Sequence, residues 1–189
     1  MTTEWDWMAE AFPHGLRLMF VRQVSPERVI EAFGANPAAA RWLTADVTFE
    51  TIDHPWVRVG RTGEWVFSFD NCLSGVEEFS PTARELSQGT ELARLESLVS
   101  SGYFYYFADG EEVTSFEPLM SPWRYGTDPD RFVPQMRQVG LDVEPPSDDA
   151  AIGESDPNIA ALQMLTLALG IRLPREAALG PLRTVRPAC

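Results

Sequence analysis

Residues 103–117 read YFYYFADGEEVTSFE, and they predict two paired β-strands. Asp109-Gly110 separates two runs of strand-forming residues, which is the strongest short-range signal for a β-hairpin. If Ala108 pairs with Glu111, alternate residues share a face. One face then carries Tyr103, Tyr105, Phe107, Thr114 and Phe116. The other carries Phe104, Tyr106, Val113, Ser115 and Glu117. Aromatic rings on both faces indicate a strand that is covered on both sides or that borders a pocket.

A second hairpin is predicted by residues 56–70, WVRVGRTGEWVFSFD. Apolar and polar residues alternate on both arms, with valines on the first arm and aromatic residues on the second. The two apolar sets share a face only if Gly60 pairs with Glu64, so we predict a three-residue loop. The second face then carries polar side chains, with His54 opposite Asp70 if the pairing extends that far. These polar side chains are Arg58, Glu64, Ser68 and Asp70.

Helices are expected between the predicted strands. Four pairs of residues, Ser-Pro at 25–26 and 80–81 and Asp-Pro at 128–129 and 156–157, have the pattern of helix starts. The resulting order β-α-ββ-α-βββ-α-α predicts an α+β fold. We expect a mainly antiparallel sheet of five or six strands with helices packed on it.

The chain length is that of one domain. We assign residues 1–173 to a single α+β domain and residues 142–155, which are polar and proline-rich, to a loop or linker. Residues 174–189 are rich in proline and arginine, so we expect an irregular basic tail.

The charge is strongly acidic and unevenly spread. The chain has 15 arginines, no lysine and 28 acidic residues, which gives a net charge of −13. Residues 73–160 hold seventeen acidic residues and only five arginines. Phosphate-backbone binding requires clustered basic residues, so we expect no nucleic acid partner. This acidic segment is either a solvated face or a surface for a basic protein partner, whose encounter the charge would accelerate.

The sequence gives no indication of a membrane protein or a secreted protein. No stretch approaches the roughly 18 uncharged apolar residues of a membrane-spanning helix. The first residues, MTTEWDWMAEAF, lack the basic and apolar regions of a secretory signal. Cys72 and Cys189 are far apart in sequence, and we expect no structural disulfide. We therefore expect a cytoplasmic location and no membrane partner.

Signals for catalysis are weak. The chain has two histidines and two cysteines, and their spacing fits no usual zinc motif. Phosphate-binding and nucleophile-elbow glycine motifs are missing from the sequence. Cys72, His54 and Asp70 are residue types that can form a nucleophile, base and orienting acid, but Cys72 can equally pack as a small apolar residue. We expect no metal and no cofactor, and no catalytic residue is identified.

Aromatic residues beside arginine suggest binding sites. Trp123-Arg124-Tyr125, and Trp56 close to Arg58, combine the residue types that are enriched at binding hot spots. Ordinary packing and arginine stacking are the alternative explanation. The candidate ligand-binding or partner-binding residues are His54, Trp56, Arg58, Ser68, Asp70, Tyr103, Tyr105, Trp123, Arg124 and Tyr125.

Several sequence segments, taken in their order along the chain, resemble those of one protein family. They include SPERVIEAFGA, VRVGRTGEWVFSFD, YFADGEEVTSFEP and GTDPDRF. Together they resemble uncharacterised actinobacterial proteins that carry a domain of unknown function, over most of residues 16–173. The resemblance implies a small soluble bacterial protein and no particular activity, cofactor or catalytic residue.

Two main functional classes remain open, beside a third in which the apolar helix predicted at residues 158–169 makes the protein an oligomerising scaffold. The first is a non-enzymatic, acidic protein-interaction module, immunity-like or regulatory, because the chain is small and acidic and lacks catalytic motifs. The alternative is a small-molecule-binding protein or enzyme, with a site formed by the 54–70 hairpin and the aromatic strand 103–107. The sequence leaves the oligomeric state undetermined.

Overall fold

The computed structural model describes residues 3–13, 15–50, 55–71, 75–97, 102–145 and 156–187. These residues form a single sheet in which every strand pair is antiparallel. Its strands are β1 (Leu16–Arg22), β2 (Arg41–Leu43), β3 (Val57–Thr62), β4 (Trp65–Asp70), β5 (Glu91–Ser97), β6 (Gly102–Ala108), β7 (Glu111–Phe116), β8 (Arg124–Tyr125) and β9 (Leu182–Val185).

Helices cover both faces of the sheet. They are α1 (Trp7–Ala11), α2 (Pro26–Ala32), α3 (Ala45–Phe49), α4 (Gly75–Leu86), α5 (Val133–Val139), α6 (Pro157–Leu169) and α7 (Arg175–Leu179). One face, here called the α4 face, packs its apolar side chains against α2 and α4. The opposite face, the α6 face, packs against α1, α5 and α6. Among the described residues, no helix is long and apolar enough to cross a bilayer.

The sheet is larger than the sequence predicts. The strand order is β2-β9-β3-β4-β1-β5-β6-β7-β8, so the described residues form nine strands rather than five or six. Strands β2, β8 and β9 have only three, two and four residues. Such short segments cannot show the two-residue alternation by which a strand is recognised in a sequence.

The predicted register of the hairpin at residues 56–70 is wrong. Thr62 pairs with Trp65, so the loop has two residues and begins at Gly63, which has a φ of 56°. The valines of β3 therefore lie on the α4 face and the aromatic residues of β4 on the α6 face. The prediction assumed that only one face of the hairpin is buried. Because helices cover both faces, a two-residue loop that puts the two apolar sets on opposite faces exposes neither set to solvent.

The C-terminal segment differs from the predicted irregular tail. It forms α7 and then β9, which pairs with β3 on one side and with β2 on the other. Leu182 and Val185 are buried in this position. The basic residue Arg183 forms an ion pair with Glu27 instead of lying in a solvated tail. The predicted loop at 142–155 is described only as far as residue 145, where it has no helix or strand.

Two of the four predicted helix starts are confirmed. Ser25 caps α2 by accepting a hydrogen bond from the backbone N–H of Arg28 at 3.2 Å. Asp156 caps α6 by accepting one from the N–H of Asn158 at 2.8 Å. In contrast, Pro81 lies inside α4, which has already begun at Gly75. Asp128 is hydrogen-bonded to β7 through its backbone, so α5 begins only at Val133.

Candidate binding groove

A groove lies on the α4 face where β6, β7 and β8 form the end of the sheet. Its volume is about 510 Å³, within the range of small-molecule and side-chain pockets. The rings that line it come from β6, β7 and β8 and from the turn between β7 and β8. The lining residues are Tyr103, Tyr105, Glu112, Ser115, Phe116, Glu117, Met120, Trp123 and Tyr125.

The hairpin of β6 and β7 places these side chains. Asp109 and Gly110 form its turn with φ angles of 51° and 78°, as the Asp-Gly pair predicts. The register then shifts, because Tyr106 pairs with Thr114 whereas Phe107 pairs with Glu112. Val113 is therefore an extra residue on β7, which makes a β-bulge.

The bulge changes which residues of β7 face the groove. Ser115 lies opposite Tyr105, and Tyr125 of β8 lies opposite Ser115. Glu112 lies opposite Phe107 and so shares the same face. The register predicted from sequence put Ser115 and Glu117 on the other face and is wrong beyond the bulge.

The rings differ in exposure across the groove. Tyr105 is 2% exposed, and its ring stacks on that of Tyr103 with centroids 6.0 Å apart and an angle of 17°. Tyr103 and Trp123 are each 44% exposed, and Tyr125 is 65% exposed. The groove thus has an aromatic inner wall and three solvent-accessible rings at its opening.

The groove is electronegative. Glu112 accepts a hydrogen bond from the Ser115 hydroxyl through Oε1 at 2.6 Å. Among the described residues, no arginine lines the cavity or forms an ion pair with Glu112 or Glu117. Burial raises the pKa of Tyr105, and the nearby carboxylates of Glu96 and Glu112 raise it further. Tyr105 is therefore a neutral hydroxyl at every physiological pH.

Comparison with known families gives one match. The model of a family of unknown function, DUF6461, matches residues 2–176, which is most of the chain. The chain belongs to the DUF6461 family. No curated protein and no solved structure matches it. The family assignment agrees with the expected domain of unknown function and assigns no activity to the groove.

In this DUF6461 chain, four of the predicted site residues meet in the groove. They are Tyr103, Tyr105, Trp123 and Tyr125. Glu112, Ser115, Glu117 and Met120 also line it, but sequence reasoning did not select them. The Asp-Gly turn could have placed Glu112 near the hairpin end, whereas no sequence signal marks the bulge that turns Ser115 into the groove.

Arg124 lies next to two groove residues in sequence but has a structural role. Its Nε and Nη2 donate to one carboxylate oxygen of Asp130 at 3.1 and 2.8 Å. Its Nη1 donates to the carbonyl oxygens of Ser121 and Val143 at 2.8 and 3.2 Å. Because its donors are already occupied, Arg124 holds the turn that presents Trp123 rather than lining the groove.

Trp56 is also structural. It packs, half-buried, against the α6-face core, and its ring lies 5.6 Å from that of Phe49. Its backbone N–H donates to the side-chain oxygen of Asn71 at 2.7 Å. Trp56 therefore closes the end of the β3–β4 hairpin on the face opposite the groove.

Arg58 lies on the α6 face, away from Ser68 and Asp70. Its guanidinium donates to the carbonyl oxygens of Ala178 at 3.1 Å, Gly180 at 2.8 Å and Leu43 at 3.4 Å. The side chain is fully buried, and this burial lowers its pKa to about 10. Arg58 thus fastens the segment before β9 to the sheet.

Asp70 and Ser68 lie on the α4 face and are buried. Arg94 donates to the two carboxylate oxygens of Asp70 at 2.8 and 3.4 Å, and both side chains are fully buried. The Arg94 guanidinium also lies 4.4 Å from the ring centre of Phe79 on α4. The polar face predicted for the hairpin is therefore divided between two faces of the sheet and does not form one pocket with Tyr103 or Tyr105.

Two parts of the predicted chemistry lie outside the described residues. These are His54 and Cys72, so the structure gives no geometry for a set with Asp70. Within the described ranges, no three His, Cys, Asp or Glu side chains are grouped as metal ligands.

Proposed function

We propose that this chain is a non-enzymatic protein-interaction module that binds a basic, extended segment of a partner protein in the groove of β6, β7 and β8. The observation that carries the proposal is the combination of exposed aromatic rings and two carboxylates in one cavity that no described arginine lines. Tyrosine and tryptophan dominate the energetically important residues of protein interfaces. The carboxylates favour a partner of opposite charge.

The charge around the groove supports the same partner. Four of the five arginines in residues 73–160 already form ion pairs, with Glu111, Asp70, Asp130 and Glu144. The fifth, Arg131, lies 5.1 Å from the ring centre of Tyr106. Arginines from β1 also pair with Glu91 and Glu96. Seven of the acidic residues that the structure describes in this segment, among them Glu112 and Glu117, take part in none of the described ion pairs. Their combined field accelerates the approach of a basic protein.

We further propose that the protein acts in the cytoplasm of an actinobacterium as an immunity-like or regulatory protein. Arginine replaces lysine throughout the chain, as strong G+C codon bias would produce. An immunity or regulatory role fits a small acidic module whose work is to hold a basic partner.

Binding of a labelled nona-arginine peptide to the full chain tests the proposal. We expect saturable binding that weakens with salt, because exposed charge pairs are screened. In the double variant Glu112→Gln/Glu117→Gln, we expect about fivefold weaker binding, since each surface pair contributes at most about 1 kcal/mol. Fluorescence anisotropy measures the dissociation constant.

A matched control separates the groove from the overall charge. The variant Glu31→Gln/Glu85→Gln makes the same change in net charge at two exposed residues outside the groove lining. If it weakens binding as much as the groove variant does, the peptide is held by the general field and the groove is not the site. If the unaltered chain shows no salt-dependent binding, the proposed function is wrong.

A further inference from the structure

We infer that the groove recognises a single cationic side chain, a guanidinium or an ammonium group, through the rings of Tyr103, Trp123 and Tyr125, with Glu112 and Glu117 as counter-charges. This inference rests on the proposed function and states what the partner must present. It makes one arginine or lysine of the partner the specific contact and the remaining basic residues a source of attraction at a distance.

The rings converge from three separate elements. Tyr103 belongs to β6, Tyr125 belongs to β8, and Trp123 follows the 3-10 turn Pro118–Met120. All three are at least 44% exposed, although Tyr103 stacks on the buried Tyr105. A cation within about 6 Å of such a ring is attracted by the negative face of its π-system. The three rings line one cavity, and each ring that lies within this distance of a bound cation adds to the attraction.

Elsewhere in the protein, aromatic rings are in cation–π contact with arginines of the same chain. Arg94 lies 4.4 Å from the ring centre of Phe79, and Arg131 lies 5.1 Å from that of Tyr106. Among the described residues, no arginine makes such a contact with Tyr103, Trp123 or Tyr125. The groove therefore has the acceptors of a cation–π contact without the cation, and a partner can supply it.

The carboxylates favour a cation over a neutral group. Glu117 and Glu112 both line the cavity, and the second is oriented by Ser115. A guanidinium can face a ring while its N–H groups donate to a carboxylate, which a neutral isostere of the same shape does less strongly. The cavity of about 510 Å³ also leaves space for the backbone on either side of the bound residue.

The test compares two nine-residue Gly-Ser peptides that differ only in their central residue, arginine or the neutral isostere citrulline. We expect the full chain to bind the arginine peptide about tenfold more tightly. In Trp123→Leu/Tyr125→Leu, which keeps Tyr103 and both carboxylates, we expect this preference to fall to about threefold or less. Tyr125→Phe keeps the ring and should retain it, and Trp42→Leu, at the exposed far edge of the sheet, should leave it unchanged.

Tetramethylammonium provides a readout that needs no peptide. The indole N–H signal of Trp123 is identified as the one that is missing from the NMR spectrum of Trp123→Phe. Tetramethylammonium should shift this signal, whereas the neutral analogue tert-butanol should not. We expect the leucine variant to fold, because the altered side chains are exposed. Its NMR spectrum checks this.

The outcomes separate the two proposals. Suppose that nona-arginine binds and that its binding depends on Glu112 and Glu117. If the citrulline peptide then binds as tightly as the arginine peptide, or if the leucine variant keeps the full preference for arginine, ring recognition is wrong and the proposed function stands. If tetramethylammonium binds the rings but nona-arginine does not bind, the groove holds a small cation and the protein-interaction function is wrong.

Discussion

Arg58 and Arg94 are both fully buried, but their guanidinium groups have different partners. Arg94 is paired with the buried carboxylate of Asp70, whereas Arg58 donates to three backbone carbonyl oxygens. Removing one member of a buried ion pair leaves the other charge buried without its counter-charge. The strongest single-residue effects on stability are therefore expected at the Arg94–Asp70 pair.

Replacing Arg94 with methionine should lower the free energy of unfolding by about 3–5 kcal/mol. Methionine fills part of the space beside Phe79 but leaves the Asp70 carboxylate without its guanidinium. Urea unfolding followed by circular dichroism measures the change.

The exposed pair of Arg84 and Glu111 offers a control for the Arg94 variant. Their side chains are 48% and 68% exposed, so Arg84→Met should cost less than about 1 kcal/mol. Equal losses in the two variants would show that the buried pair has no special role.

At the scale of elements, the bulge in β7 and the short strand β8 form the groove together. Gly126 follows β8 with a φ of 111° and packs against the backbone of Val113, the bulged residue. A side-chain carbon at Gly126 would lie 2.6 Å from the carbonyl carbon of Val113. The close approach of these two backbones therefore requires glycine.

Gly126→Ala should destabilise the protein by about 3 kcal/mol or more, because backbone strain is added to the collision with β7. It should also displace Tyr125 and weaken peptide binding. Thermal unfolding and the anisotropy assay measure the two effects.

Gly63→Ala is the matched control for the Gly126 variant. Gly63 also has a positive φ, of 56°, but nothing lies within 4 Å of the added carbon. We expect a loss of only about 1–2 kcal/mol there and unchanged peptide binding. A Gly126 variant as stable as the Gly63 variant would contradict the close-approach argument.

Local sequence signals are confirmed only in part, because the pairs at 80–81 and 128–129 have the same helix-start pattern as those at 25–26 and 156–157 but do not begin a helix. Predictions that depend on distant parts of the chain failed. The Asp109-Gly110 turn and the cap at Ser25 are local, and both are confirmed. The loop of the 56–70 hairpin depends on whether both faces of the sheet are covered, which neighbouring residues cannot reveal. The rings of the groove were predicted, because aromatic residues stand out in the sequence. Glu112 and Ser115 were not, because the bulge that places both of them on the groove face has no sequence signature.

At the scale of the whole molecule, the C-terminal segment is part of the sheet. Strand β9 separates β2 from β3 and pairs with both. The match to the DUF6461 family ends at residue 176, before this strand. The structure nevertheless gives the segment buried residues and the acceptors for Arg58, so we expect it to be required for stability.

Removing residues 177–189 should lower the melting temperature by about 10 °C or more, since at this size each kcal/mol corresponds to about 2–4 °C. The loss follows from the exposed edge of β3 and from a buried Arg58 without its acceptors at Ala178 and Gly180. Differential scanning calorimetry measures it.

A synthetic peptide of residues 177–189, added in excess, should restore part of the lost stability by occupying the gap between β2 and β3. A shortened chain that melts at the same temperature as the full chain would support an independent domain that ends near residue 173.

The position of β9 also sets the timing of folding during synthesis. Arg58 and Ala178 are separated by 120 residues, which a ribosome that adds about 5–20 residues per second needs roughly 6–24 s to translate. Throughout that interval β3 has an unpaired edge, which is a template for association with other chains. The nascent protein therefore completes its sheet late, and factors that shield nascent chains should influence its yield more than that of a protein whose neighbouring strands are consecutive in sequence.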